Sequence, residues 1–322
     1  MWQKLLTQFF IFILRTGIVF TPREEYEQKI AAIQPLSDKN NGYDDRLWSY
    51  QTVESTVSGR KYWYYMTKNT TDSLPIVCIH GLFLDGRTFI NLAPYLPGKK
   101  LIALNLPQRS ELYKGSINDY TTIVTDFLRS LAIDRCILMG VSFGGVIALH
   151  TTANAPDDLH IERIILAASL IPNATRKARE NSRSTNDWMK SLEDYQLYKF
   201  VEKINHFTGK NYGKKHRQQL TRVLTEKHPD WYRQVAASAA GYNALDDAES
   251  LACPVLVLHA DNDVFLDKKM KSIMSTTFQQ VQCHTIKNSE HAMVFSMAET
   301  IAGYINSFCS ESTPITTTGN QL

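Results

Sequence analysis

Apolar residues along this chain fall into short, nearly continuous runs separated by longer stretches of helical spacing. The runs Ile76–His80, Leu101–Asn105, Cys136–Gly140, Arg163–Ala168, Val255–His259 and Gln282–Ile286 read as strands. Between them, Thr88–Leu96, Tyr120–Leu131, Phe143–Asn154, Lys268–Ser275 and Met293–Phe308 repeat apolar residues every three or four positions, which predicts helices. Ahead of the first run, the β-prone segments Tyr50–Glu54 and Lys61–Tyr65 flank a stretch containing Ser58-Gly59 and predict a hairpin. Strand and helix in alternation imply an α/β fold, a mostly parallel sheet with helices on both faces. From about Pro172 to Asp246 the alternation stops, and only polar segments of helical character remain. Residues 172–245 are therefore expected to form a helical cap set into an α/β body made of residues 46–171 and 246–309, with 310–322 a disordered tail.

Residues 1–20 follow a different pattern. Leu5, Leu6, Phe9–Leu14 and Ile18–Phe20 are apolar, but Arg15 interrupts them. The uninterrupted part falls well short of the about 20 residues needed to cross a hydrocarbon core. On a helical projection Gln3, Lys4, Thr7, Gln8 and Arg15 gather opposite Leu5, Phe9, Phe12 and Ile13. The expectation is a helix lying in a membrane surface, with Trp2 and Lys4 at headgroup level. A helix docked on the protein's own surface or on a partner chain is the first alternative. A cleaved signal peptide is the second, and it lacks a small-x-small cleavage site.

The chain has 322 residues, of which 43% are hydrophobic and 21% charged, which excludes wholesale disorder, collagen-like repeats and a polytopic membrane protein. Thirty-five Lys and Arg against 32 Asp and Glu give +3, with no basic run, so nucleic acid is not an expected partner. The charge is uneven. Ile171 to Arg233 holds 14 basic and 7 acidic residues, so the cap carries +7 and the remainder −4. Solubility explains that excess, and so does an anionic lipid or substrate. The five cysteines, Cys78, Cys136, Cys253, Cys283 and Cys309, stand singly with no metal-type spacing. An odd number rules out a complete disulfide framework, and the expectation is buried free thiols in a cytoplasmic, membrane-associated body.

The chemistry concentrates at Gly140-Val141-Ser142-Phe143-Gly144, directly after an apolar strand and directly before a helical run. Between strand and helix, G-x-S-x-G makes a tight turn that lifts the serine clear of the sheet. The helix that follows aims its free amides and positive dipole end at the hydroxyl. Serine needs a base, and that base an acid. His291, in Ser289-Glu290-His291 before the final helix, is the best placed of nine histidines. The acid is expected at Asp263, just past the Val255–His259 strand, with Asp261 as the alternative. The chain order Ser142, Asp263, His291 belongs to one of the unrelated triad folds. For the oxyanion, the amide of Phe143 is one candidate donor and the amide of Leu82, in His80-Gly81-Leu82, the other. His80 is expected to orient that loop rather than to react. Phe83, Leu84, Phe265, Met293 and Phe295 lie beside these points, where they could line an acyl pocket, but plain packing is the first reading of each and none is taken as a binding residue.

Across Tyr50 to Phe308 these residues resemble the α/β-hydrolase superfamily, in the serine-nucleophile branch with a helical cap. The resemblance implies an eight-stranded, mostly parallel sheet and hydrolysis without cofactor or metal. With its apolar N-terminus, the chain is similar to membrane-associated esterases and monoacylglycerol-type lipases. It departs from that pattern at Asn105-Leu106-Pro107-Gln108-Arg109-Ser110, where the family often carries Asp-x-x-Gly-x-Gly-x-Ser, and at Glu290, where glycine usually precedes the histidine. The expected activity is cleavage of carboxylic esters with lipophilic acyl groups by Ser142, His291 and Asp263. Thioester or C–C bond hydrolysis on the same residues, and a binding protein with a dormant triad, stand as alternatives.

Overall fold

The computed structural model describes residues 43–71, 74–81, 84–107, 116–169, 171, 176–197, 242–263, 265–266 and 268–310, with residues 23, 24, 28, 199, 200, 203, 233, 234, 237 and 238. Residues 1–20, 310–322 beyond Ser310, and most of 198–241 lie outside that set, and so do the expectations that fall on them.

Eight strands form one sheet: β1 (Trp48–Glu54), β2 (Lys61–Thr67), β3 (Ile76–Ile79), β4 (Leu101–Asn105), β5 (Arg135–Val141), β6 (His160–Ala167), β7 (Val255–Ala260) and β8 (Val281–Ile286). Their order is β1-β2-β4-β3-β5-β6-β7-β8. The β1–β2 and β2–β4 pairs are antiparallel, and every later pair is parallel. The residue pattern records each strand's place. All four residues of β3, inside the sheet, are buried, whereas β1, at the edge, alternates half-buried and exposed positions after the buried Trp48. Cys283 lies on the opposite edge strand, and that alternation leaves its thiol exposed, unlike Cys78 and Cys136, which are buried. The expectation of five buried thiols thus fails at Cys283, and Cys253 and Cys309 are only half-buried.

Helices α1 (Ile117–Ser130), α2 (Phe143–Ala153) and α5 (Lys268–Thr277) cover one face, packing Val124, Ile147 and Met274 with Val77, Leu138, Val255 and Val257. The 3₁₀ segment Gly86–Tyr95, α6 (Met293–Ser296) and α7 (Ala298–Ser310) cover the other, packing Phe89, Val294 and Ile305 with Cys78, Met139, Leu256 and Leu258. Each buried Val, Leu or Ile side chain contributes about 1.5–3 kcal/mol, so this two-sided burial is the main stabilising term. Between β6 and β7 the chain leaves the sheet. Its described part includes α3 (Arg176–Ser191) and α4 (Leu245–Ser250), and Met189, Leu192, Leu197, Tyr242 and Ala244 are buried in the same cluster as α1 and α2.

Two predicted helices differ in form. The first is 3₁₀ over Gly86–Tyr95, and Pro94 near its end has no N–H to donate to either kind of helical ladder. The second breaks at Met297, whose φ of −119° is not helical, into α6 and α7. A polar anchor joins the hairpin to the body. Asp126 on α1 accepts hydroxyl hydrogen bonds from Ser55, Ser58 and Tyr62, each at 2.6 Å.

Candidate active site

Five loops meet at the carboxyl edge of the parallel strands, where open α/β sheets hold their ligands. At the end of β5, Ser142 adopts φ 53° and ψ −120°, a strained conformation for a residue with a side chain. Its amide donates to Ala167 O (3.0 Å), and its carbonyl accepts from Gly145 N (3.0 Å) and from the buried Ser169 hydroxyl (2.9 Å). These bonds over-determine the turn. The backbone leaves no space at the flanking positions. A Cβ on Gly140 would lie 2.3 Å from Gly144 O, and one on Gly144 would lie 2.0 Å from Ile79 O. Only hydrogen fits there, so β3, β5 and α2 close against each other behind Ser142.

His291 reaches this point from the loop after β8. Its Nε2 is 2.9 Å from Ser142 Oγ, and its Nδ1 is 2.8 Å from Asp263 Oδ2. A carboxylate only accepts, so Nδ1 carries the proton and Nε2 presents a lone pair to the serine hydroxyl. The Asp263 side chain is fully buried, and its other oxygen accepts the amide of Phe265 at 2.9 Å. Burial pushes the Asp263 carboxyl up. The electrostatic pull and hydrogen bond of His291, the Phe265 amide and the charge of Lys271 outweigh burial and hold the group below its usual range.

Asp261 does something else. Its two oxygens accept the amides of Ser289 and Asn288, each at 2.9 Å, tying the loop after β7 to the loop that bears His291. His80 is also a tie. Its Nε2 accepts the Leu106 amide at 3.0 Å, which leaves Nδ1 to donate to Gly81 O at 2.9 Å. Gly81 in turn runs beside the serine, and a Cβ placed on it would sit 3.2 Å from Ser142 Cβ. Leu82 itself lies outside the described residues. Phe143 opens α2, so its amide has no acceptor within the helix, and its ring packs edge-on to Tyr120 at 5.5 Å.

Sequence reasoning did not find two contributors. Ser169 braces the elbow carbonyl, and Lys271 donates to Ala260 O at 2.5 Å, just ahead of the acid-bearing loop. Phe265 packs against His291 with ring centroids 4.6 Å apart. For Phe265 a signal existed, since an apolar residue two past a candidate acid sits at the site by proximity. Ser169 and Lys271 carried none. Among the described residues no group of three His, Cys, Asp or Glu side chains is placed to hold a metal, and no helix is long and apolar enough to cross a membrane.

Comparison with known proteins identifies the family. The sn-1-specific diacylglycerol lipase ABHD11 of Danio rerio is 30% identical over 101 residues, which is 30% of this chain and 31% of that protein. The aligned stretches span less than half the length of the curated relatives that the chain matches. Among solved structures, the esterase EaEST from Exiguobacterium antarcticum superposes with a TM-score of 0.69 at 14% identity, over 82% of this chain and 100% of that one. A bromoperoxidase from Bacillus anthracis does so with 0.69 at 15% identity, over 82% and 100%. These structures share the fold. A family model described as the alpha/beta hydrolase family matches residues 76–303, from the first parallel strand into the last helix, and the chain belongs to that family.

Proposed function

We propose that this protein is a serine hydrolase that cleaves carboxylic esters with lipophilic acyl groups through an acyl-enzyme. The observation that carries the reading is the unbroken relay from Ser142 Oγ through His291 to Asp263, with contacts of 2.9 and 2.8 Å. In the first half-reaction Ser142 attacks the ester carbonyl while Nε2 of His291 takes its proton. Asp263 fixes the ring tautomer and stabilises the imidazolium. The amides of Phe143 and Leu82 receive the oxyanion, a role in which one donor is worth about 10²–10³ in rate. His291 then protonates the departing alkoxide, and water activated by the same nitrogen clears the acyl group. The similarity to a diacylglycerol lipase over part of the chain supports a lipid ester as substrate.

Ser142→Ala should lower turnover of p-nitrophenyl butyrate by a factor on the order of 10⁶, and abolish labelling by a fluorophosphonate probe. Wild-type protein that is folded yet unlabelled would favour a binding protein with a dormant triad. A panel of esters, acyl-CoA thioesters and vinylogous diketones separates ester cleavage from thioester and C–C hydrolysis.

Residues 172–245 would act as the cap over this site. Residues 1–20 would attach the body to a membrane surface, on the strength of their one-sided apolar pattern. Deleting residues 1–20 should leave soluble-ester turnover intact and abolish co-sedimentation with phosphatidylcholine–phosphatidylserine vesicles. Unchanged co-sedimentation after the deletion counts against the anchor.

A further inference from the structure

Five large apolar side chains stand exposed among the described residues, and one of them, Phe265, sits on the triad. Its ring meets the His291 imidazole edge-to-face, at 4.6 Å between centroids and 72° between planes, yet 47% of the residue remains open to solvent. Its amide, donating to Asp263 at 2.9 Å, fixes the backbone from which the ring projects. The ring is thus held in place while much of its apolar surface stays uncovered beside the reacting atoms. A substrate group that covered this surface would gain by removing it from water.

The chemistry indicates which half of the substrate that is. During acylation the bond from Ser142 Oγ to the carbonyl carbon forms and the bond to the alkoxy oxygen breaks. That oxygen keeps the electron pair and takes from Nε2 the proton that the serine gave up. Proton transfer requires the alkoxy oxygen within about 2.6–3.2 Å of Nε2. The leaving group therefore lies against the imidazole, whereas the carbonyl oxygen points away toward the start of α2. We propose that Phe265 is a specificity-determining residue for the alcohol half of the ester, forming the wall on which an apolar or aromatic leaving group packs while His291 protonates it. This inference rests on the triad reading and extends it to a subsite. Once the alcohol has left, water occupies its place and the ring no longer touches any part of the substrate.

Two ester series test the assignment on full-length protein. In the first, methyl, hexyl and phenyl butyrates share an acyl group. In the second, methyl acetate, butyrate and octanoate share a leaving group. For Phe265→Ala, kcat/KM should fall about tenfold on the hexyl and phenyl esters, the scale of a small apolar contact, and about two- to threefold on the methyl ester. The rate ratios within the acyl series should match wild type. Phe265→Leu should recover the hexyl ester more than the phenyl ester. An equal loss across the alcohol series, or a changed acyl preference, overturns the inference. Fluorophosphonate labelling of wild-type Ser142 keeps the two claims apart. Labelled wild type with a uniform Phe265→Ala loss defeats the subsite alone, and unlabelled wild type with an active Ser142→Ala defeats the triad.

Discussion

Gly144 and Gly303 are both helical glycines, and adding one methyl group to each should have opposite effects. At Gly144 the new Cβ would lie 2.0 Å from Ile79 O and 2.5 Å from His80 O, both backbone atoms that cannot swing aside. Gly144→Ala should therefore push β3 away from α2 and cost more than about 3 kcal/mol, at or beyond the upper end for overpacking. At Gly303, in α7, nothing lies within 4 Å of the built Cβ, and alanine should stabilise the helix by about 1 kcal/mol. Urea unfolding midpoints of the two variants check the pair, and a Gly144→Ala midpoint equal to wild type would sink the close-packed elbow. Spacing alone made Gly140 and Gly144 legible, because a serine between two glycines at a strand–helix junction has one common geometry. It could not divide the labour between Asp261 and Asp263. They stand two residues apart on one loop, and only the fold turns one toward main-chain amides and the other toward His291. Ser169 and Lys271 were illegible for a related reason, since each acts on a residue that is near only after the sheet has formed.

At the scale of elements, the strands were legible because burial on both faces writes a continuous apolar run. β4 begins at Leu101 and ends at Asn105 as the pattern predicts, and the other central strands differ by one to three residues at their ends. The order β2-β4-β3-β5, in which the chain crosses back over itself, is not written in any run. Helix forms were less legible than helix positions. Apolar spacing continues through Met297, with Met293, Val294 and Phe295 buried before it and Ala298, Ile301 and Ile305 after it, so the break between α6 and α7 left no mark on the pattern. That break follows the contact with the 3₁₀ segment, where Asn91 Nδ2 donates to Phe295 O at 2.8 Å, a bond between residues far apart in sequence. The extra structure between β6 and β7 showed itself as a lapse in alternation, and periodicity could not say how its described helices pack.

For the whole molecule, a histidine buried in the sheet imposes a stability cost that should appear in acid. His259 lies next to the end of β7, 1% exposed, and neither ring nitrogen has a hydrogen-bond partner among the described residues. Burial, reinforced by the charge of Lys271 and only partly opposed by Asp263, pushes its pKa from 6.5 down to about 4. The folded protein therefore keeps this imidazole neutral over a range in which the unfolded chain protonates it. Between about pH 6.5 and pH 4 the unfolded state binds more protons, so stability rises with pH across that window and is complete above it. At about 1.36 kcal/mol per pKa unit, the loss by pH 4 approaches about 3 kcal/mol. The carboxyls of Asp126, Asp247 and Asp263 are held below their usual range, so their contributions are lost only at lower pH, as it falls through their folded values. His259→Leu removes the titrating ring at similar volume. Urea midpoints from pH 7.5 to pH 4 should then fall steeply for the wild type and more gently for the variant, the gap widening below pH 6.5. Parallel slopes would mean that His259 gains a proton as readily in the folded protein as in the unfolded chain, and that water or a carboxylate reaches it.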